Sequence, residues 1–211
     1  STLLASSAAS DVYKRQGWHC VYAMENGAVA ATGIDISQKM LRVAREKNQL
    51  PYVEYLCVAM EDIDFADNSF DIVLSSLAFH YVENFEAVLS KISKVLKTGG
   101  SLVFSVEHPL FTAYGSQDWY RNEKGEILHF PVDNYYYEGR RIACFLDEEV
   151  VKYHRTLTTY LNGLLRHGYE ICSIVEPQPS PQQIKDIPGM KDEMRRPMML
   201  IVSAVRNRLS R

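Results

Sequence analysis

Residues 27–41, GAVAATGIDISQKML, constrain the fold of this chain more than any other stretch. An apolar run with no charged residue reaches Asp35, and Ser37 then opens a helix whose Met40, Leu41 and Ala44 share one face. An uncharged run of this kind predicts a strand buried on both sides, and Ser37 predicts the helix N-cap. Strand, polar step and capped helix make half of a parallel β-α-β unit. That points to an α/β fold: a Rossmann-like, mostly parallel sheet with helices on both faces. Asp35 then has two readings. It ends the strand as a polar residue, or it holds the vicinal hydroxyls of a nucleotide-containing ligand, where charge-assisted hydrogen bonds are worth roughly 1.5–3 kcal/mol each.

The rest of the chain keeps the alternation. WHCVYAMENG predicts a short helix ended by Gly27, a residue suited to a left-handed turn. YVEYLCVAM and SFDIVLSSL predict the next two strands. In NFEAVLSKISKVLKTGG, the residues Phe85, Val88, Leu89, Ile92, Val95 and Leu96 repeat at helical spacing. Asn84 is placed to cap that helix and Gly99-Gly100 to end it. SLVFSVE predicts a fourth strand. Residues 109–147 break the rhythm with many aromatics and no helical period. They predict an inserted cover, hairpin-like around Lys124-Gly125. EEVVKYHRTLTTYLNGLLRHG predicts one long amphipathic helix with Val150, Leu157, Leu161 and Leu164 inward. YEICSIVEP and MMLIVSAV predict a closing antiparallel hairpin of strands joined by a Pro/Gln-rich loop.

Composition narrows the classes of function. A chain of 211 residues, 46% hydrophobic and 23% charged, suits a single domain with a sizeable core. A net charge of -3 gives no electrostatic footprint for nucleic acid or an anionic membrane. No apolar run approaches the roughly 18–20 residues of a membrane span. Cys20, Cys57, Cys144 and Cys172 lack metal-ligand spacing, so reduced thiols in a cytoplasmic protein are expected. The opening STLLASSAAS has neither a basic region nor a firm apolar core, and it is not read as a signal peptide. Nothing in the sequence bears on oligomeric state.

The segments ATGIDISQKML, FADNSFDIVLSSLAFHYV and VLKTGGSLVFS occur in this order across residues 17–107. As a set they resemble the class I S-adenosylmethionine-dependent methyltransferases, of the bacterial small-molecule type. VEHPLFTA and VKYHRTLTTYLNGLLRHGYE extend the resemblance. The resemblance implies S-adenosyl-L-methionine as cofactor, a small-molecule methyl acceptor as partner and a sheet of seven strands. By it, Gly17 is the last glycine of the cofactor loop, Asp35 holds the ribose, and Ile36 packs on the adenine. Met60 and Glu61 meet the adenine edge; Ala59 stands where many members carry an acid, so that contact is expected from the main chain. Ser76 and Leu77 face the methionine part. Met40 has a cofactor role or is core filler, and Met60 has the same two readings.

The front of the chain departs from the pattern. Where the family has a first strand and a glycine-rich loop, this chain has STLLASSAASDVYKRQ, without a glycine. Residues 1–16 are therefore read as a foreign leader, and residues 17–211 as the methyltransferase domain. STLL or SDVY is expected to serve as a poor substitute strand. Without its backbone cradle, the methionine end of the cofactor is expected to be weakly held.

Methyl transfer from a sulfonium needs alignment and water exclusion, and a base only for an acceptor that arrives protonated. His80, Glu107 and His108 follow the third and fourth strands and are the candidate bases. The alternatives are a packed loop residue for His80 and a loop-fixing role for Glu107 and His108. His154 and Arg155 face an anionic acceptor or solvate an outer helix face, the second being preferred. His19, His129 and His167 have no partner spacing. The rival functions are a nicotinamide-dependent oxidoreductase and a binding protein of the same fold without catalysis.

Overall fold

The computed structural model describes residues 1–7, 17–145 and 148–207. The chain opens with β1 (Thr2–Ser7), α1 (Trp18–Glu25), β2 (Ala30–Asp35), α2 (Gln38–Lys47), β3 (Val53–Cys57) and β4 (Phe70–Ser76). α3 (Phe85–Val95) and β5 (Leu96–Glu107) follow, then a short α4 (Pro109–Ala113). Two hairpins come next, β6 (Tyr120–Arg121) with β7 (Ile127–His129), and β8 (Gly139–Phe145) with β9 (Glu148–His154). The chain closes with α5 (Leu157–Arg166), β10 (Tyr169–Val175), α6 (Pro181–Asp186) and β11 (Met199–Arg206).

Seven strands form one sheet in the order β10-β11-β5-β4-β1-β2-β3. Pairs among β1 to β5 are parallel, while β11 runs antiparallel to both β5 and β10. The chain winds outward from β1 to one edge, then returns through β4 to the other. The direction of winding therefore reverses between β1 and β4, and ligands of such sheets bind outside the strand ends at that reversal.

Alternation along the strands feeds two cores. Leu4, Val73, Phe104 and Val202 pack against α3 and α5, which contribute Phe85, Leu89, Tyr160 and Leu164. Leu3, Ala5 and Ala31 meet Cys20 of α1, Leu41 and Ala44 of α2, and Tyr55. Ser37 caps α2 by accepting the Met40 N–H, and Asn84 caps α3 through the Ala87 N–H, both as their spacing predicts. Among the described residues, no helix is long and apolar enough to cross a membrane.

Four expectations change. Thr2–Ser7 is a regular strand at the centre of the sheet, paired along its length with β2 and β4, rather than a poor substitute. SDVY and residues 8–16 lie outside the described residues. The long helix starting at Glu148 does not exist: β9 occupies its first third, and α5 starts only at Leu157, capped by Thr156. The reason is that β9 turns polar side chains inward. Lys152 and His154 are buried while Val151 is exposed, so the strand's polar and apolar faces are the reverse of the usual pattern. Gly99-Gly100 lies within β5, since α3 already ends at Val95. The Pro/Gln-rich loop holds α6, started by a capping box between Ser180 and Gln183.

Candidate functional site

Asp35 ends β2 on the face shared by Ala31, one strand from the winding reversal. Its Oδ1 accepts the Ser37 N–H at 2.7 Å, which fixes the carboxylate's orientation at the helix start. Burial pushes the Asp35 carboxyl above the usual carboxylate range, opposed by the N–H groups of Ser37 and Ile36. Ile36 is 75% exposed, an apolar side chain standing free beside that carboxylate.

Gly17, Gly33, Asp35 and Met40 line one open recess with Tyr55. Gly17 opens α1 with φ 86°, a left-handed conformation that favours glycine. A Cβ there would lie 2.4 Å from the Tyr55 hydroxyl oxygen, and one on Gly33 would lie 2.7 Å from the Tyr55 ring. The two glycines thus make room for the tyrosine ring on the partner strand, where Gly33 and Tyr55 are cross-strand neighbours. Tyr55 was not singled out from the sequence, because its partners lie 22 and 38 residues away. The set fits a nucleoside: an oriented carboxylate for a diol, an exposed apolar side chain for a base, and a helix start beside both.

Met60 and Glu61 lie in a single turn of 3-10 helix after β3. The Met60 side chain is buried in the core, while Glu61 is exposed. Ser76 ends β4. Leu77 follows with φ 50°, uncommon for a bulky residue, and its N–H is held by both the carbonyl and the Oγ of Ser105. Beyond it, His80 is buried, and its Nδ1 accepts the Glu107 N–H at 3.3 Å. That bond leaves the neutral ring's proton on Nε2.

Glu107 ends β5 in a closed polar ring. Its Oε1 accepts from Lys152 Nζ at 2.7 Å and its Oε2 from Gln117 Nε2 at 2.8 Å, while Lys152 also donates to Gln117 Oε1 at 2.8 Å. His108 caps α4 through Nδ1, which accepts the Leu110 N–H, and its Nε2 lies 2.9 Å from Glu176. Burial lowers the His108 pKa, and Glu176 opposes that shift.

His154 and Arg155 do not solvate an outer face. His154 bonds Thr112 Oγ1 and the Tyr135 carbonyl, and burial lowers its pKa. The Arg155 guanidinium donates to the carbonyls of Phe79, Val82 and Glu83 and lies over the Phe85 ring. Lys152 and Gln117 were not recognised as site residues, and Arg155 was weighed only as facing an anionic acceptor or solvating an outer face. The only available signal was the period-2 run Lys152-Tyr153-His154, overridden by the helical reading of the residues after it.

Residues 15–104 match the family model described as a methyltransferase domain. A Listeria monocytogenes protein assigned to the S-adenosylmethionine dependent methyltransferases has a similar structure. It superposes with TM-score 0.91 at 48% identity, over 98% of this chain and 90% of that one. An S-adenosylmethionine dependent methyltransferase from Mesorhizobium loti superposes with TM-score 0.85 at 36% identity, over 96% of this chain and 90% of that one. An uncharacterised protein of Haemophilus influenzae is 32% identical over 197 residues, 89% of this chain and 76% of its own length. Two relatives of that identity and coverage, with the strand order and the carboxylate described above, establish that the chain belongs to the class I S-adenosylmethionine-dependent methyltransferases.

Proposed function

We propose that this chain transfers a methyl group from S-adenosyl-L-methionine to a small-molecule acceptor. The oriented carboxylate of Asp35, beside the glycine-lined recess, is the observation that carries this reading. Asp35 accepts hydrogen bonds from the ribose hydroxyls, Ile36 packs on the base, and Met40 walls the recess. Main-chain groups at Met60 and Glu61 meet the edge of the base, and Ser76 with Leu77 faces the amino-acid half. Gly17 starts the helix whose N-terminal N–H groups point to the ligand. Bound there, the cofactor supplies a methyl group on a sulfonium, whose departure as a neutral thioether is favourable without a metal.

The protein's contribution to the displacement is alignment and exclusion of water, which in favourable geometry accounts for several kcal/mol of barrier. His80 Nδ1 is engaged by the Glu107 N–H, so this residue ties the loop after β4 to the end of β5 rather than acting as a base. Glu107 keeps its charge balanced by Lys152, and its oxygens orient an acceptor by accepting hydrogen bonds. His108 Nδ1 is taken up by the Leu110 N–H and its Nε2 faces Glu176, so this residue fixes the start of α4. The aromatic rings of the cover, with Phe111 stacked on Phe130 and Trp119 against Phe130, favour a partly apolar acceptor held away from solvent.

Residues 8–16 contain no glycine, the residue that most readily lets a backbone come close to a ligand, and from this composition we infer weakened cofactor binding. Calorimetric titration checks this: a low-micromolar dissociation constant for S-adenosylmethionine overturns it. The activity is tested by following S-adenosylhomocysteine release over a panel of small metabolites, with Asp35→Ala as background. Turnover by the unaltered chain alone supports the reading. Equal turnover by both chains overturns the role of Asp35.

A further inference from the structure

Three near-consecutive side chains of β9 and its exit, Lys152, His154 and Arg155, are each no more than 6% exposed. Each ties the β8–β9 hairpin to a different element at one end of the sheet. Lys152 holds Glu107 at the end of β5, and His154 holds Thr112 of α4. Arg155 reaches the loop after β4. Its Nη1 donates to the Phe79 carbonyl at 3.3 Å, and its Nη2 donates to Glu83 at 2.8 Å and to Val82. No carboxylate pairs with this guanidinium in the hydrogen bonds and ion pairs of the described residues. A buried cation is instead satisfied by backbone carbonyls that converge on it, flanked by the rings of Phe85 and Tyr160.

The loop so gripped is the one that starts with the strained Leu77 and carries His80. A left-handed leucine persists only where its surroundings over-determine it. On one side Ser105 holds the Leu77 N–H, and on the other the Arg155 fork holds the three carbonyls that close the loop. We infer that Arg155 is a positioning residue for the methionine half of the cofactor. It touches no ligand; it sets Ser76 and Leu77 by fixing the loop that follows them, and it links that loop to the hairpin covering the acceptor. The inference rests on the cofactor reading above and adds a residue from a distant segment to it.

The test compares two ligands that share the nucleoside and differ in the amino-acid half. Adenosine and S-adenosylhomocysteine are titrated, by ligand-observed NMR or calorimetry, against the unaltered chain, Arg155→Lys and Arg155→Ala. A lysine keeps the charge but ends in a single compact ammonium, without the planar fork whose two nitrogens span the three carbonyls. For Arg155→Lys the expected result is S-adenosylhomocysteine binding weakened by about tenfold, with adenosine binding unchanged. For Arg155→Ala, added methylguanidinium should restore the preference for S-adenosylhomocysteine. If Arg155→Ala does not fold, the lysine variant carries the test alone. Equal loss of both ligands means a merely structural role, and no loss of either means none; each overturns the inference. An unaltered chain that binds adenosine as tightly as S-adenosylhomocysteine also overturns it, while leaving the assignment of Asp35 standing. An unaltered chain that binds neither overturns the cofactor reading itself.

Discussion

On the proposed reading Asp35 meets two opposed demands: it must be ionised to grip a diol, and burial resists that ionisation. Replacing it by Asn removes the charge and keeps the shape. The expected loss is roughly 1.5–3 kcal/mol of S-adenosylhomocysteine binding, about 10- to 150-fold by titration. The unfolding midpoint should hold or rise, because the variant no longer places a charge in a half-buried position. The pH dependence has a definite sign. A raised folded pKa means that the folded chain takes up a proton while the unfolded chain is still ionised. Acid therefore favours folding through this group as it abolishes binding. Ligand affinity should start to fall at a higher pH than an exposed carboxylate would allow, and titrations at stepped pH would show it. This residue was legible in the sequence because its helpers Ile36 and Ser37 adjoin it. Tyr55 was not, because the glycines that accommodate it are neighbours only in the folded sheet.

The β8–β9 hairpin marks where pattern reading failed, and the cause is its own chemistry. A strand with Lys152 and His154 on its buried face carries a helix-compatible polar pattern, since period alone cannot show that a polar residue points inward. The short β6–β7 hairpin was legible, because Lys124-Gly125 is a local turn signal. For β9 the informative partner was Glu107, 45 residues away. Removing only one member of that pair should be costly. Lys152→Met leaves the largely buried Glu107 carboxylate without its counter-ion and should lower stability by up to about 3–5 kcal/mol in urea unfolding. Adding Glu107→Leu to it should recover most of that loss. A double variant no more stable than the single one would deny that the two charges form a unit. Acid should loosen the same region. Burial lowers the pKa of His108 and of His154, so the unfolded chain binds protons that the folded chain refuses. Stability from these groups is full above the unfolded value of about 6.5 and is lost as pH falls below it. His154→Gln should flatten part of that slope.

At the scale of the molecule, β1 joins the two halves of the sheet. β2 and β3 hang from one side of it, and β4, β5, β11 and β10 from the other. Its sequence, TLLASS, carries only two large apolar residues, which is why it does not read as a central strand. The structure gives a reason for the weak signal. Leu3 and Leu4 face opposite cores, while Ala5 lines the recess beside Gly33, where a larger side chain would fill the space. The strand is thus apolar where it packs and small where the site begins. Truncating Leu4, 2% exposed, should cost about 2–5 kcal/mol, a large share of the roughly 5–15 kcal/mol typical of a domain. Because strands on both sides depend on β1, the loss should appear as one cooperative transition moved to lower urea. It should not appear as early melting of one sheet edge. Ile142→Ser, on the 46% exposed face of the hairpin, serves as the contrast and should leave the midpoint within about 0.5 kcal/mol. Should Leu4→Ala unfold at the same urea concentration as the unaltered chain, Thr2–Ser7 would not be the strand that holds the sheet together.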